Sequence, residues 1–78
     1  MNEQKIKQDE IRIGENIRAL RKQKGMGQTE LVLELHLRGV AMTRETLVKI
    51  ERGIQHIKAT QLKAIRDVLE TDYDELLK

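Results

Sequence analysis

Cysteine and proline are both absent from this sequence. Without cysteine there is no disulfide framework and no thiolate metal site, a composition that suits a reducing compartment such as the cytoplasm. Without proline, and with only five glycines, few positions force the chain to break. Tyr73 is the one aromatic residue, so the core has to be built from Leu, Ile and Val. No apolar run exceeds three residues, far short of the ~20 that a membrane-spanning helix requires. The opening MNEQKIKQDE also has no apolar stretch of the kind a secretory signal carries. The expectation is a cytoplasmic, all-α protein.

Catalytic and cofactor signatures are missing as well. His36 and His56 stand twenty positions apart with no cysteine or neighbouring histidine, so a metal site lacks its ligands. There is no phosphate-cradling glycine loop and no G-x-S-x-G elbow. Asp72, Asp74 and Glu75 are explained by helix capping and solvation. Neither an enzyme nor a cofactor or metal is expected.

What the sequence has in quantity is charge, 36% of its 78 residues, and that charge is unevenly placed. Residues 1–10 carry a net −1, residues 11–66 a net +7, and residues 67–78 a net −4. A basic body with an acidic end is compatible with a mixed solvated surface and with one face turned to a polyanion. At this length the chain holds one domain, whose every large aliphatic side chain is needed inside.

Periodicity then places five short helices. Ile13, Ile17 and Leu20 recur at helical spacing and predict a helix over roughly residues 11–24, ended by Gly25. Residues 1–10 are expected to be an extension of that helix or frayed chain. A second helix spans 28–37, with Gly27 as N-cap and Leu31, Leu35 and Val32 inward. Val40 and Met42 read as buried residues ahead of a third helix over 44–52, capped by Thr43 and stopped by Gly53. The fourth, over 59–69, buries Leu62, Ile65 and Leu69. Asp72 and Glu75 then form the pattern of a capping box before Leu76 and Leu77.

The third helix carries the functional signal. In MTRETLVKIERG the 3.6-residue repeat sets Thr43, Leu47 and Ile50 on one side. Arg44, Glu45, Val48, Lys49 and Arg52 fall on the other, a row of long polar arms on a very short rod.

A helix, a glycine-bearing turn and a helix with a long polar outer face make up a helix-turn-helix, whose second element enters the DNA major groove. The segments IGENIRALRKQKGMGQTEL, TRETLVKIERG and LKAIRDVLETDYDELL together resemble the Cro/C1-type (XRE) helix-turn-helix family. The resemblance covers residues 11–77 and implies a five-helix, lambda-repressor-like bundle over residues 11–78. Three departures stand out. The turn LHLRGVAMTR is longer than in compact phage repressors and resembles a subgroup reading LQLxGxxISR; Val32 replaces the usual alanine; and the proline that usually follows the ERG segment is absent.

Carried over position by position, the resemblance implies that Arg44, Glu45 and Lys49 reach base edges. Arginine can pair with guanine O6 and N7, lysine can donate to the same atoms, and glutamate can accept from cytosine N4. Val48 has the reach to touch a thymine methyl, and reads equally as an ordinary exposed valine. Gln28 is a candidate backbone contact, through its amide and the unpaired N–H groups of the helix start. Thr29, Thr43, Arg52, Gln55, His56 and Lys58 are further candidates. Each basic residue alone reads as solvated surface; their concentration beside one helix sets them apart. The resemblance also pairs Arg21 with Glu51 as a partly buried ion pair.

The function expected is a DNA-binding regulator of the repressor or Cro type, binding double-stranded DNA as a homodimer on two half-sites. Since no further domain is seen after the fifth helix, the dimer contact is expected from exposed apolar positions near Leu76 and Leu77 or from the segment NEQKIKQ. The rival is a protein-interaction module on the same fold, such as an antitoxin capping a toxin, or an anti-repressor.

Overall fold

The computed structural model describes residues 5–6 and 12–78. Its helices are α1 (Ile13–Gln23), α2 (Gln28–Leu37), α3 (Arg44–Glu51), α4 (Ala59–Leu69) and α5 (Tyr73–Leu77). Two short strands, β1 (Lys5–Ile6) and β2 (Ile57–Lys58), pair antiparallel with Lys5 opposite Lys58 and Ile6 opposite Ile57. The domain is therefore all-α with one minimal ribbon. Within the stretch expected to extend α1 or to fray, Lys5–Ile6 is instead a strand, and the rest of residues 1–11 lies outside the described residues.

The helix ends follow from local chemistry. α1, α2 and α3 all close through glycines at positive φ, with the N–H of each glycine and of the residue after it turned back onto the last turn. At the end of α3, Gly53 N–H reaches Ile50 O and Ile54 N–H reaches Lys49 O, both at 3.0 Å, while Gly53 sits at φ +77°. That is the glycine-closed pattern of paired 6→1 and 5→2 bonds, and a Cβ there would be strained. α4 closes the same way on Glu70, at φ +53°. At the starts, Thr43 Oγ1 accepts from Thr46 N–H at 3.1 Å and Asp72 Oδ1 from Glu75 N–H at 2.8 Å. The expected box at α5 closes in this forward direction, and the Glu75 carboxylate takes Lys78 instead, at 2.9 Å. At α4 the Gln61 side-chain oxygen accepts from Lys58 N–H at 2.9 Å.

The core gathers one stripe from every helix: Ile13 and Ile17, Leu31 and Leu35, Leu47 and Ile50, Leu62, Ile65 and Leu69, and Leu76. Met42 and Ile57 fill the interior from the links. α1 packs against α3, α4 and α5, while α2 packs against α3 and α4, so α3 rests on both other members of its three-helix unit. Val32 and Val40 are half-buried against this core.

One expectation is corrected here. Leu76 is fully buried and Leu77 is half-buried against the core, so this pair does not supply an exposed dimer contact. The reason is tertiary: Asn16 on α1 donates to Leu76 O at 2.9 Å and to Lys78 O at 3.0 Å, drawing α5 down onto α1. The large apolar side chains exposed among the described residues are Leu33, Leu37, Ile54 and Tyr73.

Candidate nucleic-acid interface

α3 is short because Thr43 starts it and Gly53 stops it, and it is anchored because Leu47 and Ile50 are fully buried. Eight residues at 1.5 Å each make a rod of about 12 Å, comparable to the ~12 Å width of the DNA major groove. Burying the Leu47 and Ile50 side turns the opposite side outward. Arg44, Glu45, Lys49 and Arg52 are exposed there, and Val48 is half-buried between the two sides. Arg44 and Lys49 are offset by about 7.5 Å along the axis, roughly two base steps of ~3.4 Å.

No described residue forms an ion pair with Arg44, Lys49, Arg52 or Lys58. Several acids elsewhere are already engaged. Glu70 meets Lys24, Asp67 meets Arg66, and Glu75 meets Lys78. The Lys24 ammonium holds the Glu70 carboxyl below its usual range through a hydrogen bond and then through charge. Asp67 raises the Arg66 guanidinium by hydrogen bonding, and Arg66 also lies 4.6 Å from the Tyr73 ring centre. Among the described residues, Arg44, Lys49 and Arg52 are thus left without an ion-pair partner.

Beneath α3 lies a buried polar joint. Glu51, the last residue of the helix, accepts from Arg21 Nε at 2.8 Å through Oε2 and from Arg21 Nη2 at 2.9 Å through Oε1. Arg21 is 6% and Glu51 5% exposed. The third guanidinium nitrogen, Nη1, donates to Met26 O at 2.9 Å, closing the turn after α1. The bond to Glu51 raises the Arg21 pKa, outweighing the opposite pull of burial, and the charge of Glu51 adds to the rise. No buried side-chain polar atom among the described residues is left without a partner.

Gln28 joins the same cluster, since its Nε2 donates to Glu51 Oε1 at 3.1 Å. A side-chain amide has two N–H groups, so one remains for an external acceptor. Gln28 therefore stands at the first position of α2, tied by one hydrogen to the last residue of α3. Sequence reasoning did not foresee this bond: the partners are 23 positions apart and no local pattern marks them.

The remaining candidates divide by surroundings. Thr29, Arg52, His56 and Lys58 are exposed, whereas Gln55 is half-buried. The Thr43 hydroxyl is occupied by the cap and also donates to Thr46 Oγ1 at 3.0 Å. The His36 ring meets the Met42 backbone, with Nε2 2.9 Å from the carbonyl oxygen and 3.2 Å from the nitrogen. Among the described residues no group of three or more His, Cys, Asp or Glu is placed to hold a metal, and no helix is long and apolar enough to cross a membrane.

A family model described as Helix-turn-helix matches residues 17–76 of the chain. Searches of curated proteins and of solved structures gave no match. The matched span runs from the middle of α1 into α5 and so contains the Arg21–Glu51 joint, the turn and all of α3. With most of its length matched and all five helices in place, the chain belongs to the Cro/C1-type (XRE) helix-turn-helix family of DNA-binding domains.

Proposed function

We propose that this protein is a sequence-specific transcriptional regulator, a repressor or Cro-like switch, that acts in the cytoplasm by seating α3 in the major groove of an operator. The observation that carries this reading is the two-sidedness of α3: Leu47 and Ile50 are buried, while Arg44, Glu45 and Lys49 are exposed and face no described counter-charge. Arg44 and Lys49 read guanine edges, Glu45 a cytosine amine, and Val48 a thymine methyl. Gln28, Thr29, Thr43, Arg52, Gln55, His56 and Lys58 hold the sugar-phosphate backbone and set the register.

One 12 Å rod reads few base pairs, so the operator is a palindrome occupied by a homodimer. The described body measures 27 × 27 × 22 Å, a size that lets two copies side by side place their α3 helices about one DNA turn, ~34 Å, apart. With Leu76 buried, the most exposed pair of neighbouring apolar side chains among the described residues is Leu33 and Leu37, one turn apart on α2 and 57% and 73% exposed, and the second copy docks there. The same pair favours a second reading, in which a different protein such as a toxin docks there.

Selection of binding sites from a random duplex library by the purified protein tests this function. A recovered palindrome is expected. On that operator Arg44→Ala should lower affinity by about tenfold, the value of one bidentate base contact, and leave random DNA unaffected. Lys58→Ala should lower both affinities and reduce the salt slope by about 1. A flat salt response with a stoichiometric co-purifying protein would favour the second reading.

A further inference from the structure

The link from α2 to α3 is tied at its start, where Val40 N–H donates to Leu35 O at 2.9 Å and Gly39 adopts φ +81°. Beyond that bond the chain runs through exposed Ala41 to buried Met42 and then to the cap Thr43. Val40 and Met42 turn inward to the core, while the outer side of the link is open. A hollow of about 240 Å³ lies along His36, Gly39, Val40 and Ala41, and another of about 390 Å³ borders His36, Met42, Thr43 and Lys58.

His36, in the last turn of α2, crosses this gap. Its Nε2 is 2.9 Å from Met42 O and 3.2 Å from Met42 N. One ring nitrogen serves only one of these at a time. Carrying a hydrogen it donates to the carbonyl; bare, it accepts from the N–H. Both choices fall on the same residue, so the ring braces Met42 in either tautomer and when doubly protonated. Met42 directly precedes the N-cap of α3, and the cap is followed by Arg44 and Glu45.

We infer that His36 is a positioning residue for base reading, fixing the front end of α3 against α2 and so the register of Arg44 and Glu45 on the bases. This rests on the DNA-binding reading above. The rear of α3 is held independently by Glu51 through Arg21 and Gln28. Loss of the His36 brace leaves a rod pinned by hydrogen bonds at its far end and held only by the apolar contacts of Met42 and Leu47 at the end where the base contacts begin. Backbone contacts tolerate such a swing, because phosphates are accepted over a range of positions. Base edges do not.

The test compares His36→Ala, His36→Asn and His36→Gln for binding to the selected operator and to a random duplex, well below each variant's melting temperature. Glutamine can carry a donor or acceptor to the place of Nε2, whereas asparagine is too short. Alanine and asparagine are expected to lower the operator-to-random ratio about tenfold with random binding unchanged, and glutamine to restore most of it. Amide exchange of the free proteins should quicken at Met42–Glu45 and stay unchanged at Ile50–Ile54. That second measurement decides the matter if the alanine variant folds poorly at the binding temperature. An alanine variant that keeps the ratio within twofold, equal loss in all three variants, or unchanged exchange at Met42 would overturn the inference. A wild-type protein that recovers no preferred sequence would instead overturn the DNA reading on which it rests.

Discussion

Replacing Glu51 with alanine should come close to unfolding this domain. The carboxylate takes two hydrogen bonds from Arg21, at 2.8 and 2.9 Å, and one from Gln28 at 3.1 Å. Both members of the ion pair are at most 6% exposed, so water cannot replace the lost acceptor without opening the joint. Arg21 keeps one bond, to Met26 O at 2.9 Å, and is otherwise a stranded guanidinium. Removing one partner of a buried pair costs about 3–5 kcal/mol. At ~0.05–0.15 kcal/mol per residue, a domain this size has about 4–12 kcal/mol in all. The melting temperature should therefore fall by on the order of 20 °C.

Denaturant and thermal unfolding followed by circular dichroism read this directly, with Glu15→Ala as the control. Arg12 and Glu15 meet at 3.4 Å with side chains 77% and 66% exposed, a contact worth under about 1 kcal/mol. A combined Arg21→Met and Glu51→Leu replacement should recover most of the loss, because apolar residues of similar volume leave no charge unpaired. The reasoning is refuted if Glu51→Ala falls within about 0.5 kcal/mol of the Glu15→Ala control. Titrating Arg21 would not help. Its pKa is raised, so its contribution is complete below the ordinary arginine value and is lost only as pH rises through the raised one, beyond the working range.

Two further outcomes follow from the helix ends. Thr43→Ala removes the acceptor for Thr46 N–H and should cost about 1 kcal/mol by chemical denaturation, while Thr43→Ser should cost far less. Glu70→Gln keeps the shape of the side chain and its left-handed backbone but loses the charge facing Lys24. The Glu70 carboxyl is held below its ordinary value. The wild type should thus be the more stable above the ordinary carboxylate range and lose that lead as pH falls through the lowered value; a lead unchanged down to strong acid would remove Lys24 as its source.

The residues that made the fold legible are those whose partners are near in sequence. Leu47 and Ile50 are marked as inward by their spacing, and Gly53 as a stop by its position after a polar rod. Thr43 is recognisable as a cap because the group it satisfies is three residues on. Arg21 and Glu51, 30 positions apart, were visible only through the resemblance, and the addition of Gln28 to them was not visible at all. Strands of two residues carry no periodicity, so β1 and β2 left no trace. Leu76 was misread for a related reason: on a five-residue helix nothing local says which side faces in, and Asn16, 60 positions earlier, is what pulls it under.

The long α2–α3 turn shows what such distant contacts are for. Lengthening a loop costs little, about 0.6 kcal/mol per doubling, so stability alone would not oppose it. Precision would, because each added residue loosens the start of α3 relative to α2, and bidentate base contacts demand a fixed approach. The chain meets that demand at both ends of the helix by polar contacts from α2: His36 to Met42 in front, Gln28 to Glu51 behind. The buried leucine and isoleucine hold α3 down, but apolar contact is non-directional and fixes its angle and register less sharply than hydrogen bonds do. Hydrogen bonds at its two ends restrict the freedom that remains, and under the proposed function this is how α2 would fix where α3 meets the bases.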